Sequence, residues 1–218
     1  MSKELATKND GGGLVVAGQD AAASISRVAL YQGTAQEVEK YGEGAFRRGD
    51  FIDTLERTKL GTSVQIMPLA GWTTWSKWPK GSKQPEYTFT RIEDVPSEDL
   101  AWTDGMPPAA VECVHLVCVL SGSPFPAVIN FKRTAISAFK NVIGPLEQRR
   151  GARRAGPGLY ELSSTDDKDG AGNPFKRLHA KPAGDPTPEM LELADAIRPV
   201  IDRVKAKYEE IDAADCPV

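Results

Sequence analysis

Aromatic and cationic residues alternate in one short central stretch of the chain. Residues 72–80 read WTTWSKWPK, which places three of the four tryptophans at a spacing of three, with lysines between and after them. YTFTR, at 87–91, adds two aromatic rings and an arginine. Flat rings stack on nucleobases, and ammonium or guanidinium groups neutralise phosphates. This stretch therefore predicts a surface that binds single-stranded nucleic acid.

The same tryptophans have a second interpretation as core residues, because each indole buries a large area when it packs. In a strand, side chains alternate, so Trp72 and Trp78 share one face and Trp75 takes the other. We expect Trp72 or Trp75 in the core and Trp78, beside Pro79 and Lys80, nearest the surface. Core packing and ligand binding both stay open for the group as a whole.

Positive charge is concentrated in the middle of the chain, although the formal net charge is -3. Between residues 127 and 158, seven bases accompany one acid, and RRGARR at 149–154 holds four arginines. Such a run favours contact with a polyanion over a merely solvated loop. The predicted nucleic-acid-binding residues are Trp72, Trp75, Lys77, Trp78, Lys80, Lys83, Tyr87, Phe89, Arg91, Lys132, Arg133, Lys140, Arg149, Arg150, Arg153, Arg154, Phe175, Lys176 and Arg177.

The residues that could hold a metal or act as nucleophiles are badly placed for either task. In CVHLVC, at 113–118, strand alternation puts Cys113 and His115 on one face and Cys118 on the other, so the two thiolates cannot converge on one ion. STDDKDGAG, at 163–171, resembles a calcium loop but has Lys176 where the bidentate glutamate belongs. Neither histidine stands beside a nucleophile in a known motif. We predict no metal, no cofactor and no catalytic residue.

The elements that must position these residues are mostly strands. Runs rich in β-branched and aromatic residues predict strands, and apolar residues at steps of three and four predict helices. The predicted strands cover residues 64–78, 87–92, 110–120, 125–132, 158–165 and 173–182. The predicted helices cover residues 34–41, a short segment from Asp50 that stops by Gly61, 132–150 and 187–211. We expect a bend at Gly71, a break at Gly144-Pro145 and a kink at Pro199.

This order predicts a β-rich α+β fold, namely an elaborated, OB-fold-like five-stranded barrel. One helix lies between its third and fourth strands, and another is C-terminal. Four candidate strand runs precede the first of these helices, so either 110–120 and 125–132 form one interrupted pair or the barrel is elaborated. The predicted organisation is a flexible N-terminal segment with a short helix (1–48), an OB-like nucleic-acid-binding domain (49–184), and a C-terminal helix with a mildly acidic tail (185–218).

The composition is typical of a soluble globular protein, with 40% hydrophobic and 26% charged residues. No apolar run approaches the roughly 20 residues that cross a bilayer, and the N-terminus lacks the pattern of a secretory signal. Three cysteines do not make a disulfide framework and fit a reducing compartment. We therefore predict a cytoplasmic protein with no membrane partner.

The strand order, the basic aromatic centre and the acidic C-terminal end together resemble bacteriophage single-stranded DNA-binding proteins. DFIDTLERTKLG with VQIMPL, and VINFKRTAISAFKNVI followed by LYELSSTDDKDG, carry this resemblance over residues 49–184. It implies binding to single-stranded DNA without strong sequence preference, in replication or recombination within the host cytoplasm, as a homo-oligomer and with replication proteins as partners. In that family an acidic tail competes with DNA and recruits partners, whereas EEIDAADCPV here is short and lacks a terminal aromatic residue.

Two other functions are compatible with the same residues. A virion-associated interaction or scaffold protein would use the apolar face of the helix predicted at 187–211 to bind another protein. A nucleic-acid enzyme would use scattered carboxylates and Mg²⁺.

Overall fold

The computed structural model describes residues 26–79, 85–103, 105–170 and 172–201. Residues 1–25 of the N-terminal segment predicted to be flexible and the acidic tail lie outside these described residues. So do Lys80 and Lys83 of the predicted binding site.

One curled β-sheet contains nine strands within the described part of the chain. The strands are β1 (Ser26–Leu30), β2 (Phe51–Asp53), β3 (Thr58–Gly61), β4 (Ser63–Lys77), β5 (Tyr87–Phe89), β6 (Ala110–Leu120), β7 (Pro126–Lys132), β8 (Leu159–Lys168) and β9 (Pro174–Gly184). The helices are α1 (Ala35–Tyr41), α2 (Ser97–Leu100), α3 (Ile136–Ala138), α4 (Gly144–Ala152) and α5 (Pro188–Ile197), with 3₁₀ turns at Ile92–Asp94, Arg133–Ala135 and Arg198–Val200 and a π-helical turn at Phe139–Ile143.

The sheet order is β3-β2-β1-β7-β6-β4-β8-β9, and β5 pairs with β4 off this path. Four of the predicted strands before the central helix are present, and the predicted final pair forms the hairpin β8–β9. The predicted size of five strands is wrong, because β1, β2 and β3 extend the sheet beyond β7. The result is a β-rich, curled half-barrel with a few helices.

The three additional strands come from residues whose patterns predicted something else. Residues 26–30, assigned to a flexible segment, form β1, which runs parallel to β7 and buries Val28. The short helix predicted from Asp50 is wrong. Phe51 and Ile52 are both buried in β2, and Asp53 accepts hydrogen bonds from the backbone of Leu55 at the turn into β3. A three-residue strand is too short to show a period, so its pattern could not be separated from a helix.

The central helical segment runs from α3 through the π-helical turn to α4 without the predicted break at Gly144-Pro145. Proline has no N–H to donate, and the wider turn just before it, at Phe139–Ile143, accommodates the ring without ending the helix. The predicted start of the C-terminal helix is confirmed: Thr187 caps α5 and Pro188 is its first residue. Pro199 lies in a 3₁₀ turn that follows the end of α5.

The sheet has an apolar cluster on each side. Inside the curl, Ile66, Leu116, Phe131 and Tyr160 pack with the central helical segment. On the other side, one face of α5 covers part of β4 and β6. No helix in the described ranges is long and apolar enough to cross a membrane.

Candidate nucleic-acid interface

Two of the three clustered tryptophans, Trp72 and Trp75, lie on opposite faces of β4, and Trp78 follows the end of that strand. Trp72 is opposite His115 in the β4–β6 register, and Trp75 is opposite Glu112, which confirms the predicted alternation. Trp72, Trp75 and Trp78 are each half-buried. No ring of the three is sealed in the core, and Trp72 and Trp75, on opposite faces, cannot belong to one stacking surface.

One side of the Trp72 indole is covered by a buried histidine. The two rings are stacked, with centroids 5.1 Å apart and an interplanar angle of 15°. His115 is only 1% exposed. Its Nε2 lies 2.8 Å from Thr74 Oγ1 and its Nδ1 lies 2.9 Å from Asn130 Oδ1. Both ring nitrogens have partners, so this histidine fixes the orientation of Trp72.

The predicted alternation of the cysteines around this histidine is also found. Cys118 lies in the apolar cluster inside the curl, whereas Cys113 is aligned with Thr74 on the face of His115. Across the described residues, no three His, Cys, Asp or Glu side chains are grouped so as to hold a metal ion.

The opposite face, around Trp75, carries a cluster of aromatic rings, and the lysine beside this cluster is paired with an acid. Phe89 pairs with Trp75, and the Tyr87 ring stacks on Phe89 at 4.7 Å. Asp99 accepts a hydrogen bond of 2.8 Å from Tyr87 Oη and lies 3.2 Å from Lys77 Nζ. The bond to Asp99 holds the pKa of Lys77 above its usual value. Lys77 is therefore positioned as the partner of a carboxylate.

Five other predicted basic residues also have acidic partners. The ion pairs are Lys140–Glu112 (2.6 Å), Lys176–Asp166 (3.0 Å), Arg150–Asp185 (3.3 Å), Arg91–Glu93 (3.6 Å) and Arg177–Asp167, with the Arg177 guanidinium also over the Phe175 ring. Lys132 is half-buried at the end of β7, and the exposed Arg133 follows it at the start of a 3₁₀ turn. The five paired bases are therefore already neutralised by carboxylates of the same chain.

Four predicted arginines are exposed and have no ion pair within the described ranges. Arg133 follows β7, and the other three, Arg149, Arg153 and Arg154, lie together at the end of the central helical segment. Arg149 and Arg153 are four residues apart at the end of α4, so their side chains lie on the same side of the helix. We refer to these three residues as the arginine cluster.

The helix that carries the arginine cluster is tied firmly to β8. Glu147 Oε1 accepts hydrogen bonds from the backbone N–H of Gly158 at 2.9 Å and from Tyr160 Oη at 2.7 Å. Burial, with the Glu147 hydrogen bond, raises the pKa of Tyr160. Arg150 Nε donates to the Gly156 carbonyl at 2.7 Å. Glu147 and Arg150 therefore attach α4 to residues 156–160, and this attachment fixes the position of the arginine cluster next to them.

The edge of β4 that does not face β6 pairs with two strands, β8 and β5, and lacks a described partner between them. β8 pairs with residues 63–66 and β5 with residues 75–77, and no described strand pairs with this edge over residues 67–74. A cavity of about 290 Å³ lies here, lined by Leu69, Trp72, Phe139, Gly144 and Glu147 among others. We call it the open-edge cavity. At 1.5 Å per residue, Arg149 lies about 8 Å along α4 from Gly144.

Sequence reasoning missed a group of large apolar residues that are exposed in the described part of the chain. Ile92, Trp102 and Met106 are 47%, 70% and 62% exposed, and all lie in the connection between β5 and β6. The available signal was the charge pattern, because the chain between 93 and 112 contains six acids and no base. We call the described residues of this connection, 90–103 and 105–109, the acidic loop.

Comparison with known proteins gives one match. A family model described as "Pam3 phage gp34-like protein" matches residues 3–207, which is almost the whole chain. No curated protein and no solved structure matches it. The description of the family names a phage protein and no activity.

Proposed function

This chain belongs to the Pam3 phage gp34-like protein family, and we propose that it is a single-stranded DNA-binding protein. In this proposal it acts in phage replication or recombination and binds without strong sequence preference. Phosphates are neutralised by arginines, and bases stack or pack on aromatic and apolar side chains. The role requires no catalytic residue, metal or cofactor.

The observation that carries the proposal is the position of the arginine cluster beside the open-edge cavity. α4 lines the cavity with its first turn and carries Arg149 and Arg153 at its other end. A cavity of about 290 Å³ is at the lower limit of small-molecule pockets, which span roughly 300–1,000 Å³, and is suited to a single base. A phosphate attached to that base is then within reach of guanidinium groups that have no described acidic partner.

The order of the strands also supports the proposal. β7-β6-β4-β8-β9 are consecutive neighbours, and the central helical segment joins β7 to β8. This is the strand order of an OB-fold, which commonly binds oligonucleotides. Here β1 to β3 extend it. The proposed ligand is therefore the one that the sequence predicted. The proposed site is the open-edge cavity, which Trp72 also lines, together with the arginine cluster. We call this region between β4 and α4 the groove.

Fluorescence anisotropy of a labelled oligo(dT) tests this proposal. Replacing Arg149, Arg153 and Arg154 together by glutamine keeps the side chains long and helix-compatible while removing three charges. We expect binding to weaken at least tenfold at low salt, because the neutralisation of phosphates supplies most of the affinity of a non-specific site. The matched control replaces the exposed Lys40, Arg47 and Arg57 by glutamine.

The control should bind within about threefold of the wild-type protein, since it changes the net charge equally but away from the groove. Equal losses in both variants would show that only overall charge matters. No binding of oligo(dT) by the folded wild-type protein at low salt would refute the proposal. A parallel titration with duplex DNA of the same length should give weaker binding, because paired bases cannot enter the cavity.

The alternative role for the C-terminal helix is not favoured by its packing. Met190, Ala194 and Ile197 are buried against Met67 and Val119 of the protein's own sheet. The apolar face that was expected to bind a partner is therefore occupied within the chain. The exposed apolar residues of the acidic loop are a different surface.

A further inference from the structure

The acidic loop combines large exposed apolar side chains with unneutralised carboxylates. Trp102 and Met106 are close in the loop, because the Met106 N–H donates to the carbonyl of Thr103, the neighbour of Trp102, at 2.9 Å. Asp94 and Glu98 are exposed on the same loop, with no ion pair among the described residues. An exposed tryptophan beside other apolar groups is typical of an interaction site rather than of solvated surface.

Two buried residues of the acidic loop, Val95 and Asp99, attach it to the rest of the protein. The exposure of Trp102 is therefore a property of a fixed loop. Asp99 of α2 is buried and bound to Tyr87 and Lys77, and Val95 is also buried. Within the chain, the indole of Trp102 therefore does not reach an apolar site. A polyanion is excluded as its partner, because the surrounding carboxylates repel it.

The complementary surface is present on the same chain. The arginine cluster supplies exposed positive charge, and the open-edge cavity beside it has apolar walls formed by Leu69, Phe139 and others. We propose that the acidic loop of one copy docks on the arginine cluster and open-edge cavity of a second copy. Trp102 fills the cavity, and Asp94 and Glu98 face the guanidinium groups.

The two docking surfaces are different, so the interface is heterologous. A head-to-tail interface of this kind produces open chains of molecules unless its rotation closes a ring. The attraction between carboxylates and guanidinium groups at the rim is screened by salt, so the association should weaken as salt is raised.

This inference rests on the proposed function in one respect only. If the groove binds single-stranded DNA, the acidic loop of a neighbouring copy competes with DNA for it and leaves the groove when DNA is in excess. The docking itself does not require DNA and is measured without it.

Sedimentation velocity of the full chain at low salt, over a range of protein concentrations, tests the docking. One variant carries Trp102→Ser and Met106→Ser, and its matched control carries Leu55→Ser and Phe125→Ser, which are also exposed apolar residues. A second variant carries Arg149→Gln, Arg153→Gln and Arg154→Gln. We expect the wild-type protein and the control to self-associate, and each of the two variants to associate at least tenfold more weakly, since central apolar anchors and their partners dominate such interfaces.

Mixing the two variants gives the decisive result. Each retains the half of the interface that the other lacks, so an equimolar mixture should form one-to-one dimers and no longer chains. A wild-type protein that stays monomeric at every concentration would overturn the inference. So would association that the loop variant or the arginine variant retains in full, or a mixture that forms no dimer.

Adding oligo(dT) then separates this inference from the proposed function. If both hold, DNA should dissociate the chains of wild-type protein. Self-association that follows the expected variant pattern but is unchanged by DNA would retain the docking and contradict the shared DNA site. DNA binding by a protein that never self-associates would retain the proposed function and remove the docking.

Discussion

The side-chain amide of Gln32 makes two hydrogen bonds to the backbone of Lys176, which lies 144 residues further along the chain. Gln32 Nε2 donates to the Lys176 carbonyl at 2.8 Å, and the Lys176 N–H donates to Gln32 Oε1 at the same distance. The pair of bonds imitates one rung of a β-ladder between the loop after β1 and the edge strand β9. Arg48 also donates from its guanidinium to the Pro174 carbonyl of β9, so two side chains connect the parts of the curled sheet that no strand pairing joins.

Replacing Gln32 by alanine should destabilise this junction. Both hydrogen bonds are removed, and we expect the free energy of unfolding to fall by about 1–2 kcal/mol. Hydrogen exchange should also show faster exchange of the Lys176 amide than in the wild-type protein. The exposed Gln148→Ala provides the matched control and should leave both quantities nearly unchanged. An unaltered Lys176 exchange rate in the Gln32 variant would contradict this role.

Asp50 should make stability depend on pH in the acid range. Burial raises the pKa of Asp50, but hydrogen bonds from Lys59 Nζ at 2.8 Å and from the Arg47 N–H at 2.9 Å outweigh it, so the pKa lies below its usual value. The folded pKa is therefore lower than the unfolded one. The stabilisation is present above about pH 4 and is lost as the pH falls through the folded value.

Asp50→Asn tests this pH dependence. We expect the variant to melt about 2–4 °C below the wild-type protein at neutral pH. The difference should shrink below about pH 4, where the wild-type carboxyl also becomes neutral. Glu39→Gln, at an exposed position of α1, should show no such convergence. A constant difference across the acid range would mean that the charge on Asp50 contributes nothing.

Cys118 should be inert in the folded protein. It is fully buried, and burial raises the pKa of its thiol. Because only the thiolate reacts, a variant with Cys113→Ser and Cys216→Ser should react with a thiol reagent far more slowly when folded than in denaturant, by on the order of a thousandfold. The same variant unfolded is its own control. Rapid reaction in the native state would show that β6 opens locally.

The salt dependence of DNA binding should show whether the arginine cluster neutralises phosphates. For single strands, the slope of log affinity against log salt becomes shallower by about 0.7 for each phosphate that is no longer neutralised. The triple glutamine variant should therefore have a slope shallower than wild type by up to about 2, whereas the Lys40, Arg47 and Arg57 control keeps the wild-type slope. Anisotropy titrations between roughly 50 and 200 mM salt measure it. Parallel plots for the variant and the wild-type protein would exclude these arginines from phosphate binding.

Features that depend on neighbouring residues were correctly predicted from the sequence. The alternation of Trp72 and Trp75 across β4 follows from strand geometry, and the β-branched run of β6 was recognised by composition. The start of the C-terminal helix at Thr187 was also local, because a capping side chain bonds to a backbone N–H within the first turn. Strands as short as β2 carry too few residues for a pattern to appear.

The sequence by itself determined the strands from β4 to β9, the start of the C-terminal helix, and where positive charge is abundant. Only the tertiary structure decided which charges remain available, because the acids that neutralise them come from elsewhere in the chain, as Glu112 does for Lys140. It also decided where a ligand can enter, since β8 leaves β4 after Ile66 and β5 joins only at Trp75. Ion pairing and edge exposure both depend on long-range positions, which a local pattern of side chains does not encode.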